Sequence, residues 1–214
     1  MLEPSVACKW TAVQLYSADV TVLPVLDAEP PERADAARNR RRVLEAAERL
    51  FKADPDGVTM EAVAAEAGVG KGTVFRRFGD RAGLARAVIS EYEVVLQEQM
   101  IRGEPPLGPG APARERLVAF GARYLEFLEE HADLLRQAEG SEHARLTSSV
   151  YGLYRTHLTV LLRAAGCGEA APYLADVLMA PLAAPTFLYH RRVRGLSPAE
   201  LVRAYEDLIG RLID

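Results

Sequence analysis

At 214 residues, 49% hydrophobic and 26% charged, the chain can bury a substantial core in one or two compact units. Its net charge of −4 argues against an indiscriminate nucleic-acid coat protein. No apolar run approaches the roughly eighteen residues of a membrane span. The two cysteines, Cys8 and Cys167, lie far apart without metal-ligand spacing, which fits a reduced, cytoplasmic protein with no cofactor.

The charge is unevenly spread. Residues 1–32 hold 1 basic and 5 acidic side chains, residues 33–101 hold 12 and 11, and residues 102–214 hold 13 and 14. The first segment reads as a flexible extension: Gln14, Ser17 and Asp19 interrupt its apolar run, and Pro24, Pro30 and Pro31 stop regular structure. An arm covering a neighbouring subunit is its functional alternative. The near-neutral second segment suits a module that reads chosen DNA sites.

The first helix is expected over Asp35–Ala53, with Val43, Ala47, Leu50 and Phe51 as its buried stripe. Arg38, Arg40, Arg41 and Arg42 crowd its N-terminal end. Cations there oppose the helix dipole, so phosphate contact is the natural explanation, a solvated charge run the plain one. Asp54–Pro55–Asp56–Gly57 is a turn signal.

Thr59 to Phe78, TMEAVAAEAGVGKGTVFRRF, follows. Met60, Val63, Ala64 and Ala67 fall at helical spacing, Thr59 is a good N-cap, and Gly68 suits a left-handed stop. The capping box is incomplete because Ala62 stands where a Glu is needed. A second short helix from Gly70 or Lys71 to Arg77 turns Val74 and Phe78 inward. Helix, short Gly-containing turn and helix is the spacing of a DNA-binding helix-turn-helix, about residues 58–78. The second helix carries Lys71, Thr73, Arg76 and Arg77 and no acid, so it can meet phosphates and base edges in a major groove. A solvated αα-hairpin is the alternative.

These residues resemble the tetracycline-repressor-like (TetR) family. The resemblance rests on Val43–Phe51 (VLEAAERLF), Thr59, Val63–Ala64, Ala67–Gly68–Val69, Lys71–Gly72–Thr73–Val74–Phe75, Phe78, Arg81 and Leu84, within about Ala37–Leu96. Two positions depart from the family pattern. Gly70 replaces the frequent Ser and loses a phosphate-contacting hydroxyl, and Phe75 replaces the usual Tyr and loses a hydrogen bond to the DNA backbone. The resemblance implies that Gly70, Lys71, Thr73, Phe75, Arg76 and Arg77 engage the groove. Thr59, Arg40, Arg41, Arg42 and Arg81 would then hold phosphates.

Asp80 should cap the next helix, with Leu84, Val88, Tyr92, Val95 and Leu96 on one face; this linker helix ends the DNA-binding domain, residues 33–101. The Pro/Gly stretch Arg102–Pro112 puts a boundary near residues 101–111. The remainder, residues 112–214, is helical by pattern, so the fold class is all-α. Helices are expected over Arg114–His131, around Ala132–Glu139, and from Ser141 to Ala165. Ala170–Val193 reads as an apolar helix opened by Pro181 and Pro185. Ser197–Pro198–Ala199–Glu200 is a capping box that starts the last helix.

The last two helices offer more apolar surface than a thin layer covers. They are expected to build a four-helix homodimer interface through Leu174, Leu178, Leu182, Leu201, Tyr205, Leu208 and Leu212, unless both pack wholly within one chain. Two recognition helices on a two-fold axis would meet palindromic half-sites about 34–36 Å apart. The resemblance also implies a small-molecule pocket between the middle helices. Phe120, Tyr124, Phe127, Tyr151, Tyr154, His157, Met179 and Phe187 could line it or simply fill the core. Few charges point there by pattern, so an apolar or aromatic ligand is expected.

Catalysis finds no support. Gly68–Thr73 mimics the end of a phosphate loop without its strand or full spacing, and Glu129, Glu130, His131 and Asp133 read as a solvated helix end. The expected function is a dimeric, ligand-responsive repressor, with an activator of the same fold indistinguishable by sequence. The alternative is a helical small-molecule-binding or protein-interaction module without operator-specific DNA binding.

Overall fold

A computed structural model describes residues 34–213, and expectations for residues 1–32 and Cys8 lie outside them. The described residues form ten α-helices and no strand: α1 (Ala34–Ala53), α2 (Met60–Ala67), α3 (Lys71–Phe78), α4 (Arg81–Arg102), α5 (Ala113–Glu139), α6 (Glu142–Leu146), α7 (Ser149–Ala164), α8 (Ala171–Met179), α9 (Ala184–Leu188) and α10 (Pro198–Ile213).

The head is fixed by local chemistry. Asp54 folds the turn after α1 by accepting the Gly57 N–H on both its side chain and its carbonyl. The Thr59 hydroxyl caps α2 by accepting the Ala62 N–H at 3.1 Å, and Gly68 closes it at φ 63°, the left-handed conformation that a glycine adopts without strain. Asp80 caps α4 through the Gly83 N–H at 2.6 Å. Val43, Ala47 and Phe51 of α1, Val63 and Ala67 of α2, Val74 of α3 and Leu84 of α4 close one small core. Burial of each larger side chain contributes about 1.5–3 kcal/mol.

Helix α5 is the axis of the body. It packs along α4 on one side and carries α7, α9 and α10 on others. It runs unbroken through residues 113–139, where the sequence suggested a break near His131. The apolar stripe continues through Ala132, Leu135 and Ala138, and no breaker interrupts it. The chain breaks later than expected. Ser141 caps only the single turn α6, and extended Ser148 starts α7 by accepting the Tyr151 N–H at 3.1 Å. Glu129 and Asp133 are not idle terminal charges either, since they pair with Arg191 and Arg192.

The two prolines open the penultimate segment as expected. A 3₁₀ turn at Ala180–Leu182 and extended Ala183 separate α8 from α9, and a π turn at Tyr189–Val193 follows. Among the described residues no single helix is long and apolar enough to cross a membrane. The stretches Gly168–Leu182 and Ala184–Val193 pass that test only as a pair bent by 46°. Within them Leu178, Met179, Leu182 and Phe187 are buried in the core.

This arrangement corrects the expected dimer surface. Leu178, Leu182, Leu201 and Tyr205 are buried inside one chain, and Leu174, Leu208 and Leu212 are half-buried against the same core. Helix α8 packs on α7, and α10 packs on α5. There Tyr205 lies so close that a Cβ on Gly121 would stand 2.0 Å from its ring. Among the described residues after α7, the large apolar side chains left exposed are Tyr173, Tyr189 and Val193. In α4, Val95 is exposed rather than buried, and Glu93 and Gln97 take inward positions.

Candidate nucleic-acid interface and ligand cavity

Helix α3 presents a continuous outer arc. At 3.6 residues per turn, the order around the helix is Lys71, Phe75, Gly72, Arg76, Thr73, all exposed, while Val74 anchors the opposite side. A Cβ on Gly72 would meet nothing within 4 Å, so the centre of the arc is open to close approach. Gly70 caps the helix without a side-chain bond. The Lys71 ammonium pairs with Glu61 and stands 5.4 Å over the Phe75 ring, which holds it over the start of the helix. Arg77 is half-buried beside the arc.

The remaining predicted DNA contacts divide into two groups. Thr59 and Arg41 are exposed, and Arg42 is exposed with its guanidinium 3.5 Å from the Gly68 carbonyl. Arg40 and Arg81 face inward instead. Arg40 pairs with Glu91 at 3.0 Å and ties α1 to α4. Arg81, half-buried, donates to the Pro55 carbonyl and lies 4.0 Å from Asp56, so it braces the turn before α2. Their partners are 51 and 26 residues away, beyond any local pattern.

A cavity of about 390 Å³ lies between α4, α5, α7 and Met179 of α8. Tyr124, Tyr151, Tyr154 and Met179 line it as the sequence suggested. Phe120, Phe127, His157 and Phe187 do not line it; they are buried in the core. Phe120 packs tilted against Tyr154 and His157, both at 5.8 Å between ring centres. Burial pushes the His157 imidazole down to about 3, so it is neutral.

The lining also holds charged groups where an almost charge-free wall was expected: Arg86, Glu93, Glu139 and Arg145. Glu93 is 7% exposed, and burial together with Glu139 pushes its carboxyl up to about 8. Burial pushes Glu139 up to about 7 against the pull of Arg145. Arg145, 4% exposed, lies 3.4 Å from Glu139 and 3.1 Å from Glu142, donates to the Met179 carbonyl at 3.0 Å, and stacks over Tyr151. Arg86 donates to the Ala138 carbonyl at 3.1 Å. One signal for Glu93 was available, since it sits between Ile89 and Leu96 on the inward stripe of α4.

The last turn of α5 belongs to cavity and head alike. Arg136 and Gln137 donate to the Asp56 carboxylate at 3.0 and 2.7 Å, and Arg136 holds that carboxyl below its usual range. Ala138 and Glu139, next in the chain, form cavity wall.

Residues 43–88 match the family of bacterial regulatory proteins named tetR. An HTH-type transcriptional regulator of Staphylococcus aureus (strain USA300) is 43% identical over 60 residues. That match spans 27% of this chain and only 31% of the relative's length. The fold resembles a transcriptional regulator from Rhodococcus sp. Rha1 (TM-score 0.60, 20% identity, 83% of this chain and 95% of that one). It also resembles NalD, the secondary repressor of the MexAB-OprM multidrug efflux pump in Pseudomonas aeruginosa (TM-score 0.58, 19% identity, 83% and 96%). These relatives are regulators rather than enzymes. The head sequence thus matches the tetR family of bacterial regulatory proteins over residues 43–88, on an all-helical fold similar to those of solved transcriptional regulators.

Proposed function

We propose that this protein is a dimeric, sequence-specific, DNA-binding transcriptional regulator of the cytoplasm: a repressor that a small molecule releases from palindromic operator DNA. The observation that carries the reading is the outer arc of α3, basic and hydroxyl-bearing, open at Gly72 and free of acidic side chains. In this reading residues 33–101 read DNA. Lys71, Thr73, Phe75 and Arg76 enter the groove, and Thr59, Arg41 and Arg42 meet flanking phosphates. Residues 112–214 respond to ligand and pair with a second copy, to which Tyr173, Tyr189 and Val193 offer exposed apolar side chains. That NalD is a repressor favours repression over activation.

Release by ligand is supported by the last turn of α5. A ligand that displaces Glu139 pulls on the turn whose Arg136 and Gln137 clasp Asp56, three residues before the cap of α2. The two reading heads then shift relative to each other and the half-site spacing is lost.

Fluorescence anisotropy on the DNA upstream of the protein's own gene, at two salt concentrations with scrambled competitor, tests the reading. Binding that resists competitor is expected. Weak binding that ignores sequence there, and no enriched fragment in a genome-wide selection, would overturn it in favour of a ligand-binding or interaction module that does not read DNA.

A further inference from the structure

We propose that the cavity takes an organic cation, an ammonium or amidinium on a flat apolar body, whose charge sits between Glu93 and Glu139. The proposal deepens the ligand-responsive reading above and rests on it.

The charge balance of the cavity points to this class. Glu93 enters from α4 at the centre of an apolar stripe, and among the described residues no hydrogen bond or ion pair reaches its carboxyl. A lone ionised carboxylate there would cost several kcal/mol, so the empty protein keeps it protonated. Among the described residues, the charge that raises it further is another acid, Glu139 of α5. Of the two arginines in the wall, the buried Arg145 is already held by Glu139, Glu142 and the Met179 carbonyl, whereas Arg86 is exposed to solvent and donates to the Ala138 carbonyl. An anionic ligand deep in the cavity would have to draw Arg145 from those partners while facing Glu139. A neutral one would leave the proton on Glu93 and gain nothing from the carboxylate. A cation answers both carboxylates at once.

The rest of the wall fits the body of such a molecule. Ile89, Leu135, Val150 and Met179 are apolar, and Tyr124 adds an aromatic side chain to the lining, a residue type that attracts a cation through the ring face. The volume lies within the usual range for small-molecule sites. Binding of a permanent cation expels the Glu93 proton to solvent, so the charge of the pair is balanced by the ligand. It also draws Glu139 inward, and with it the turn that clasps Asp56.

Isothermal titration of the full chain with three probes of nearly the same shape tests the assignment: 2-naphthamidine (cationic), 2-naphthamide (neutral) and 2-naphthoate (anionic). The amidine should bind at least about tenfold tighter than the amide. Titrations near neutral pH in two buffers of different ionisation enthalpy should show proton release on amidine binding. Glu93→Gln should weaken the amidine by about tenfold or more, leave the amide within about twofold, and abolish the proton release. Glu139→Gln, a second variant checked for folding by circular dichroism, should weaken the amidine in the same direction. Equal or tighter binding of amide or naphthoate, an amidine affinity indifferent to Glu93→Gln, or no binding of any probe at millimolar concentration would overturn the proposal. Anisotropy on operator DNA with the same probes separates the two readings. Amidine that binds through Glu93 yet leaves the protein on DNA sinks ligand release and spares the cation site. A neutral probe that binds more tightly and releases DNA does the reverse.

Discussion

Replacing Glu93 with glutamine should stabilise the protein, and increasingly so as the pH rises. The carboxyl is held up at about 8 in the folded chain, against an ordinary 4.5. Between those values the folded state keeps a proton that the unfolded state releases, so stability falls as pH rises through this window. Below 4.5 both states are protonated and nothing is lost; above 8 the loss is complete. Each pH unit inside the window is worth about 1.4 kcal/mol, so Glu93 removes about 3 kcal/mol between pH 5 and pH 8. Glutamine keeps the shape without titrating. The difference in unfolding free energy between variant and parent should therefore grow by about that amount across the range. Two other buried groups titrate in the same interval. Glu139, pushed up to about 7, acts in the same sense as Glu93. His157, pushed down to about 3, acts oppositely, adding stability that is lost as pH falls below 6.5. Both are present in variant and parent and largely cancel in the difference. Urea unfolding at four pH values across the range measures it. A difference that stays constant within about 0.5 kcal/mol would refute the burial argument, because a carboxyl open to water has no such slope.

Three further tests address the packing, the reading head and the coupling. Gly121→Ala pushes a methyl into the Tyr205 ring; overpacking of about 1–3 kcal/mol outweighs the gain of about 1 kcal/mol from removing a helical glycine, so the melting temperature should drop, and Tyr205→Leu in the same chain should restore it. Arg76→Ala should weaken operator binding at every salt concentration tested, while Lys71→Ala should lower the salt slope by about one unit; unchanged affinity in both would remove α3 from the interface. Asp56→Asn loosens the hold of Arg136 on the turn before α2 and should leave 2-naphthamidine binding intact while raising the amidine concentration needed to dislodge DNA; an unaltered release curve would show that the signal travels elsewhere.

What was legible in the sequence is what short-range chemistry decides. Thr59, Gly68, Asp80 and Ser197 each close a bond within a few residues of themselves. The helix-turn-helix, its exposed arc and the capped starts of α2, α4 and α10 could therefore be read directly, and the family match over residues 43–88 lies in the same stretch. Pro181 and Pro185 break the penultimate segment for an equally local reason, the backbone donors that they lack.

Tertiary structure decided the rest, because periodicity reports that a face is buried and not what buries it. Leu178, Leu201 and Tyr205 show the stripe expected of a dimer interface, yet they are buried within one chain, where α8 packs on α7 and α10 on α5. Arg40 and Arg81 look like free cations until the fold brings Glu91 and the Pro55 carbonyl to them from distant positions. Glu93 and Glu139 are separated by most of two helices in sequence. Only the packing of α4 on α5 puts their carboxyls on one cavity and makes their charges felt by each other.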